Sequence, residues 1–336
     1  MYFGLGTDKQ SEDVMLNGLM CSSTTMRGRR DSQEDSHVHD TFEYGGISGI
    51  LLGVFDGHGG DYVAKQAARI IKPMFLLALR GADIHNPNAV AEAITKAFML
   101  LDDNLRKLCS AIGDRSGATA IVAIIMDTYI IVANAGDSRC VLMTGDSTEP
   151  MSFDHKPSNE VEARRINAAG GYVSGGRVIG VLAVSRALGD FDFKENDSVP
   201  EKEQMVSASP DIKIVERDDT NNQFLLLGCD GIWDVMSNDE AGEYVKELVV
   251  GKYAGEPNSK ILERFVDSCF RKGSTDNMTC VLIILPALTA GENVMPHAVM
   301  AEENIAEKRA AEKRAEAQHR ENMKTHRLDT KTQRLF

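Results

Sequence analysis

The sequence has 336 residues, of which 43% are hydrophobic, and a formal net charge of -13. These values are ordinary for a globular chain of one large domain or two small ones, and the negative charge argues against nucleic acid or an anionic membrane surface as a partner. No run of about 18 apolar residues is present, so we expect no membrane span.

The first twenty residues are polar and show no hydrophobic period, so residues 1–20 are predicted to be a peripheral N-terminal extension. They lack the basic and apolar segments of a secretory signal, and Tyr2 stands where N-myristoylation needs glycine. The six cysteines are scattered and form no CxxC pair. We therefore expect reduced, buried cysteines and a cytoplasmic or nuclear location.

From residue 21 onward, β-rich aliphatic runs alternate with amphipathic stretches. The aliphatic runs predict strands at 46–55, 117–126, 129–136, 138–143, 223–230 and 278–285. Only Asp127 and Thr128 separate the second and third runs, which predicts a tight hairpin. Because most of the runs are almost continuously hydrophobic, we expect strands that are covered on both faces.

Apolar residues at three- and four-residue spacing predict the helices, which lie at 60–81, 86–109, 156–171, 237–250 and 258–273. Pro87 stands near the start of the second helix, and Ser158 or Asn159 can cap the third. The strands include a tight hairpin, the helices come in consecutive pairs, and a strict βαβ alternation is absent. This pattern predicts an α+β fold in which helices cover antiparallel sheets.

The tail at 291–336 is rich in Ala, Glu, Lys and Arg and is predicted to be a charged helical or partly disordered appendage. It lacks an apolar stripe wide enough for a strong coiled coil. A helix that binds a protein partner or associates with itself is the alternative interpretation.

Acidic residues stand where several of the predicted strands begin or end. They are Asp56, Asp137, Asp230 with Asp234, and Asp276, while Glu34 and Asp35 lie near the first ordered segment. A single aspartate at a strand end is usually a turn residue or a helix cap. Strand ends from distant parts of the chain can converge, however, and the carboxylates would then repel each other without a cation. Oxygen donors without a Cys/His cluster indicate hard ions such as Mg²⁺ or Mn²⁺.

The stretch GVFDGHGG (53–60) places Asp56 directly after an aliphatic run. Gly57 leaves its carbonyl open to a metal ion, and Gly59 and Gly60 permit a sharp turn and the close approach of a substrate. A lone histidine is more often a hydrogen-bonded structural residue. The neighbours of His58 instead favour a general acid or an organiser of metal-bound water.

Several motifs resemble those of the type-2C protein phosphatases, the metal-dependent protein serine/threonine phosphatases, and occur in the same order. They are GRRDSQED (28–35), GVFDGHGG, NAGDSR (134–139), DHKPSNEVEARRINAAGG (154–171), LAVSRALGD (182–190), CDGIWDVM (229–236) and STDNMT (274–279). The resemblance implies an α/β/β/α sandwich, with two antiparallel sheets between pairs of helices. It also implies a catalytic domain at 21–290 that contains a substrate-contacting flap at about 152–190.

The resemblance further implies a centre of two ions, Mn²⁺ or Mg²⁺, at one end of the sandwich. Asp56 resembles the carboxylate that bridges both ions, and Gly57 resembles the residue whose carbonyl binds one of them. Asp230 and Asp276 resemble the ligands of the other ion.

Further residues match the surroundings of that centre. Glu34 resembles an acid that holds metal-bound waters, and Asp35 resembles its neighbour. Asp137 and Asp234, together with Asp230, match a third, weaker ion position. Asn277 is expected to support Asp276 through hydrogen bonding.

By the same resemblance, Arg30 grips the substrate phosphate and His58 protonates the departing alkoxide. Arg186 and Asp190 are expected to be structural, and Trp233 is expected to pack behind the metal site. The implied function is the hydrolysis of phosphoserine and phosphothreonine in proteins by a water activated by two metals. The expected partners are phosphoprotein substrates, and we expect a monomer.

Two alternatives remain open at this stage. One is a catalytically inactive pseudophosphatase that serves as a scaffold, although Asp56, Asp230, Asp276 and Arg30 are all present. The other is a hydrolase of small phosphate esters, which only the flap and the shape of the channel would distinguish.

Overall fold

The computed structural model describes residues 6–218, 220–250 and 255–288. The helices in these ranges are α1 (Tyr62–Ala78), α2 (Pro87–Ile112), α3 (Glu160–Ala168), α4 (Asp230–Trp233), α5 (Asn238–Val250) and α6 (Asn258–Arg271). The strands are β1 (Gly6–Leu16), β2 (Leu19–Gly28), β3 (Ser36–Tyr44), β4 (Ile47–Phe55), β5 (Gly57–His58), β6 (Gly117–Ala118), β7 (Ala120–Ile125), β8 (Tyr129–Ala135), β9 (Arg139–Thr144), β10 (Ser147–Pro150), β11 (Val173–Ser174), β12 (Arg177–Val178), β13 (Leu188–Gly189), β14 (Asp211–Glu216), β15 (Gln223–Gly228) and β16 (Met278–Leu285).

Two antiparallel sheets face each other. One has the strand order β1-β2-β16-β15-β9-β10, and the other has the order β14-β8-β7-β4-β3. Helices α1 and α2 cover the outer face of the five-stranded sheet, and α5 and α6 cover the six-stranded sheet. A third apolar layer fills the space between the sheets. The predicted α/β/β/α sandwich is therefore confirmed.

Strand β4 shows why the central strands are so hydrophobic. Ile50, Leu52 and Val54 face the layer between the sheets, while Leu51 and Phe55 face the core under α1 and α2. Successive side chains of a strand point to opposite faces, so a strand between two cores needs apolar residues at nearly every position. The prediction of strands covered on both faces is confirmed.

Local sequence signals account for the turns and helix ends. The tight hairpin forms as predicted between β7 and β8, where Met126 N donates a 2.9 Å hydrogen bond to Tyr129 O. Helix α2 begins at Pro87 after Asn86, whose side chain accepts a hydrogen bond from the amide of Asn88. It ends at Gly113, which adopts a left-handed conformation with φ of 75°.

Residues 6–16, which lie within the predicted N-terminal extension at 1–20, form strand β1. It pairs antiparallel with β2 and forms the edge of the six-stranded sheet. Most of its side chains are exposed or half-buried, so it carries no strong hydrophobic period. Asp13 joins it to the body of the fold, because its carboxylate accepts hydrogen bonds from Ser22 Oγ and Ser259 Oγ, both at 2.6 Å.

Three further predictions concern the cysteines, membrane spans and the tail. All six cysteines are free and buried. None of the helices in the described residues has the length and apolar character that a membrane crossing requires. The tail at 291–336 lies outside the described residues, so its predicted character and its protein partner stay predictions.

Candidate active site

Acids from both sheets meet at one end of the sandwich. Asp56 follows β4 and Asp137 follows β8, both in the five-stranded sheet. Asp230 follows β15 and Asp276 precedes β16, both in the six-stranded sheet. Burial raises the pKa of Asp56 well above its ordinary value, and the charges of Asp35 and Asp230 raise it further. Carboxylates that are far apart in the sequence therefore share one electrostatic environment.

The negative charge of the acid cluster is compensated only in part. Burial, with the charge of Asp137 acting in the same direction, raises the pKa of Asp230 to about 7. Burial also raises the pKa of Asp35 to about 6. Asp230 Oδ1 and both carboxylate oxygens of Asp35 are buried and have no hydrogen-bond partner among the described residues. Buried oxygens that attract protons and lack donors fit a site for hard cations.

Glu34 is held against the turn that follows Asp56. A Cβ atom on Gly57 would lie 2.3 Å from the Glu34 carbonyl oxygen, so only glycine permits this close approach. Gly60 N donates to Glu34 Oε2 at 3.1 Å, and Ser32 Oγ donates to Glu34 Oε1 at 2.6 Å. The glycines of GVFDGHGG thus bring Glu34 to the edge of the acid cluster.

Asn277 fastens the loop between β2 and β3 to the start of β16. Its side-chain amide donates to Arg27 O and Ser32 O, each at 2.9 Å, and its Oδ1 accepts from Glu34 N at 2.9 Å. Its backbone N–H, rather than its side chain, donates to Asp276 Oδ1 at 2.7 Å. Asn277 therefore supports Asp276 as expected, and its side chain also holds the loop that carries Arg30.

Arg30 lies at the rim of the cluster. Its guanidinium pairs with the carboxylate of Asp276, and its side chain is 59% exposed. A planar guanidinium with several outward donors can bind two oxygens of a phosphate. Arg30 thus lies next to a candidate metal ligand and remains open to solvent.

His58 is placed by a small sheet with the order β13-β6-β5. Its Nε2 lies 2.7 Å from Asp190 Oδ2. Burial alone would lower the pKa of His58, but the charge and hydrogen bond of Asp190 outweigh burial, so the pKa is raised. A Cβ on Gly117 would lie 2.2 Å from Asp190 Oδ2 and 2.4 Å from His58 Nε2, so the pair requires glycine there.

Asp190 is anchored from helix α2. Asp102 accepts a 2.8 Å hydrogen bond from Gly189 N and a 2.8 Å hydrogen bond from Lys194 Nζ. The same ammonium donates to Ala187 O at 2.9 Å. These contacts fix the chain on both sides of Asp190, so its carboxylate has little freedom to leave His58.

Lys156, which was not predicted from the sequence, is a basic residue that interacts with Asp137 and Asp234. Lys156 Nζ pairs with the buried carboxylate of Asp137. Burial lowers the pKa of Lys156, but the charges of Asp137 and Asp230 outweigh it and raise the pKa overall. Burial raises the pKa of Asp234, and the charge of Lys156 opposes this rise. Lys156 stands within the motif DHKPSNEVEARRINAAGG, but its position gave no signal of this contact.

Two neighbours complete the surroundings of the acids. Trp233 is 7% exposed, and its Nε1 donates to Gly228 O at 2.8 Å, so it packs behind the cluster as expected. The Sγ atom of Cys229 lies within 4.8 Å of carboxylate oxygens of Asp35 and Asp56. Burial raises the pKa of Cys229 well above its ordinary value, so the thiol stays protonated beside the acids.

Arg186 has the ion-paired role that the sequence suggests. It donates to Glu162 Oε1 and Asp211 Oδ1 at 2.7 and 2.6 Å. Arg165 binds the other oxygen of Glu162 at 2.7 Å. Burial would raise the pKa of Glu162, but the two arginines outweigh burial and lower it to about 2. This network joins α3 to the segment before β13 and fixes the base of the flap region.

Comparison with known proteins connects this geometry to a family. The family model described as Protein phosphatase 2C matches residues 19–278. A probable protein phosphatase 2C of Caenorhabditis elegans is 38% identical over 283 residues, which cover 82% of this chain and 77% of that protein. Protein phosphatase 2C homolog 2 of Schizosaccharomyces pombe is 39% identical over 290 residues, which cover 83% and 76%.

A solved structure extends the likeness to the fold. The crystal structure of a phosphatase from Toxoplasma gondii matches with a TM-score of 0.70 at 23% identity, covering 83% of this chain and 96% of that one. The resemblance found in the motifs is confirmed by these comparisons. The chain belongs to the protein phosphatase 2C family and is a metal-dependent protein serine/threonine phosphatase.

Proposed function

We propose that the acid cluster binds two divalent ions, Mn²⁺ or Mg²⁺, and that the protein uses them to hydrolyse phosphoserine and phosphothreonine in proteins. The observation that carries this proposal is the set of buried carboxylate oxygens of Asp35 and Asp230 without hydrogen-bond partners. Cations between such oxygens would remove the repulsion that raises the pKa values of Asp56 and Asp230.

Four groups would hold the two ions: the carboxylates of Asp56, Asp230 and Asp276 and the carbonyl of Gly57. Asp56 is proposed as the shared ligand, because the charges of Asp230 and Asp276 both act on its carboxylate. Bound ions of this kind lower the pKa of water enough to supply hydroxide near neutral pH, and they neutralise charge on phosphate oxygens.

The acids next to the four proposed ligands would have supporting roles around the two ions. We assign to Glu34 the orientation of water in the site, because Gly60 and Ser32 fix both of its carboxylate oxygens. Asp35 would stabilise the arrangement around Asp56. Asp137 and Asp234 would hold a third ion more weakly, since Lys156 already neutralises part of the charge there.

Arg30 would bind the substrate phosphate. Its exposed guanidinium lies beside Asp276, so the phosphate would be held next to the proposed ions. Arginine donors that face developing charge on phosphate oxygens stabilise the transition state.

His58 would act as the general acid. Its Nε2–H donates to Asp190, which leaves the Nδ1–H of the imidazolium as the proton for the departing serine or threonine oxygen. As the bond between phosphorus and that oxygen breaks, the oxygen takes the proton and leaves as an alcohol. Asp190 favours the imidazolium form, as a carboxylate partner of a catalytic histidine does in other enzymes.

The test is phosphate release from a phosphothreonine peptide. We expect turnover with Mn²⁺ or Mg²⁺, none with a chelator, and a loss of at least about a hundred-fold in Asp56→Asn. The matched control is Asp197→Asn, which changes an exposed aspartate of the loop after β13. Turnover that survives the chelator, or near-normal turnover of the Asp56 variant, would contradict the two-metal proposal.

A further inference from the structure

A second group of candidate ligands lies where the edge strands of the two sheets come together. Glu12 belongs to β1, the edge of the six-stranded sheet, and His37 and His39 belong to β3, the edge of the five-stranded sheet. None of the three belongs to the acid cluster. One ligand atom from each residue lies within 4.8 Å of the others.

The spacing of the two histidines in β3 places them on one face. Residues two apart in a strand point to the same side of the sheet. Val38, between them, packs against the core under α1 and α2. His37 and His39 therefore point away from those helices, towards the six-stranded sheet and Glu12, and their rings stack with centroids 5.5 Å apart.

The two distances from Glu12 to the histidines match those between ligands of a tetrahedral metal site. Glu12 Oε1 lies 3.5 Å from His37 Nε2 and 3.3 Å from His39 Nε2. Both separations exceed the usual length of an N–H···O hydrogen bond, about 2.7–3.2 Å. Zinc binds histidine nitrogen and carboxylate oxygen at about 2.1 Å, and a tetrahedron with bonds of that length separates its ligand atoms by about 3.4 Å.

We propose that Glu12, His37 and His39 bind one Zn²⁺ ion, with water as the fourth ligand. Two imidazoles and one carboxylate suit a borderline ion such as Zn²⁺ better than Mg²⁺ or Mn²⁺. The histidine side chains are only 20% and 12% exposed, which limits the rearrangement needed for binding. Burial lowers the pKa of His37, and the charge of His39 acts in the same direction, which favours the neutral ring that binds metals.

The ion would link two strands that belong to different sheets. Strand β1 precedes the part of the chain that the family model matches, which begins at residue 19. Zinc would therefore clamp β1 to β3 across the edge of the sandwich. His39 Nδ1 is buried without a hydrogen-bond partner among the described residues. Partners at that nitrogen usually improve metal affinity 10–100-fold, so we expect weaker binding than at a closed structural zinc site.

The test measures zinc binding to the full chain with Mg²⁺ in excess to occupy the acid cluster. Equilibrium dialysis should find one Zn²⁺ per chain in the wild type, and Co²⁺ as a probe should show the intense visible bands of a tetrahedral site. Both signals should disappear in His37→Ala/His39→Ala and weaken at least ten-fold in Glu12→Gln. The control is His85→Ala, which removes an exposed histidine between α1 and α2 and should change neither signal.

Glu12→Gln still tests the proposal where the double histidine variant does not fold. The Glu12 side chain is 58% exposed, so we expect this variant to fold normally. Zinc at about a hundred times the wild-type dissociation constant should raise the melting temperature of the wild type by roughly 5 °C and that of Glu12→Gln, which binds at least ten-fold more weakly, by about half as much or less. Zinc stoichiometry and tetrahedral Co²⁺ bands that persist in Glu12→Gln and the histidine variant would overturn the proposal. Neither readout depends on phosphatase activity.

Discussion

The imidazole of His58 and the carboxylate of Asp190 are joined by a 2.7 Å contact between Nε2 and Oδ2, although 132 positions separate them in the chain. The contact depends on a three-stranded sheet whose members come from three different parts of the sequence. It gives one ring nitrogen a fixed partner, so Asp190 has the hydrogen-bonded structural role that the sequence suggests. In the proposed mechanism the other ring nitrogen faces the substrate, and Asp190 then also sets the protonation of His58.

Asp190→Asn should lower turnover of a phosphothreonine peptide by roughly ten- to a hundred-fold. Asparagine no longer favours the imidazolium, so the pKa of His58 should fall and the alkaline limb of the pH–rate profile should move to lower pH. Turnover of an aryl phosphate, whose leaving group needs no proton, should fall much less. The control is the exposed Asp192→Asn, and an unmoved alkaline limb would count against this role of Asp190.

Gly117→Ala should separate the same pair from the opposite side. The new methyl group would lie within 2.4 Å of both His58 Nε2 and Asp190 Oδ2, so one of them must move. We expect a loss of turnover similar to that of Asp190→Asn and little further loss when both changes are combined, since they break one interaction. Gly117 does not have a positive φ, so backbone strain does not account for such a loss; full additivity in the double variant would contradict the shared mechanism.

Asp230→Asn should raise the free energy of unfolding of the metal-free protein. It should also reduce the increase in that free energy that metal ions produce. The pKa of Asp230 is raised to about 7, so the folded protein holds a proton that the unfolded chain has lost. The free energy of unfolding of the metal-free wild type therefore falls as pH rises from about 4 towards 7. The amount by which the variant is more stable than the wild type should grow over the same pH range. Urea unfolding with and without Mg²⁺ would measure both effects, and a variant that Mg²⁺ stabilises as much as the wild type would show that Asp230 is no ligand.

Glu162→Gln should destabilise the protein by about 3 kcal/mol at neutral pH, because the largely buried guanidinium of Arg165 loses its counter-charge and that of Arg186 keeps only Asp211. The pKa of Glu162 is lowered from 4.5 to about 2, so its contribution is present above pH 4.5 and is lost as pH falls towards 2. The difference from the wild type should shrink over that window. Glu160→Gln, on the exposed side of α3, is the control; a difference that does not depend on pH would argue against the ion pairs.

Much of the fold could be predicted because the central strands lie between two cores. Strands such as β4 and β16 have apolar residues on both faces, which makes them conspicuous in the sequence. The edge strands β1 and β3 have exposed or half-buried side chains and carry no such signal. Hydrophobic patterning therefore predicts the centre of each sheet better than its edges.

The residues of the candidate site also differ in how far the sequence could predict them. Aspartates that follow or precede hydrophobic strands could be recognised, because they recur at several strand ends and stand in motifs that occur in the family's order. Lys156 and the contact between Asp190 and His58 could not, because they depend on how loops from separate parts of the chain come together. Sequence reasoning identified the acids, whereas the three-dimensional structure was needed to find the residues that balance them.

The side-chain amide of Asn277 ties the loop that carries Arg30 to the start of β16, next to Asp276. In the proposed mechanism, displacing this loop would therefore disturb both the binding of phosphate by Arg30 and the arrangement of the acids. The 152–190 segment is tied to the same end of the sandwich, because its Lys156 pairs with Asp137 and its Asp190 contacts His58.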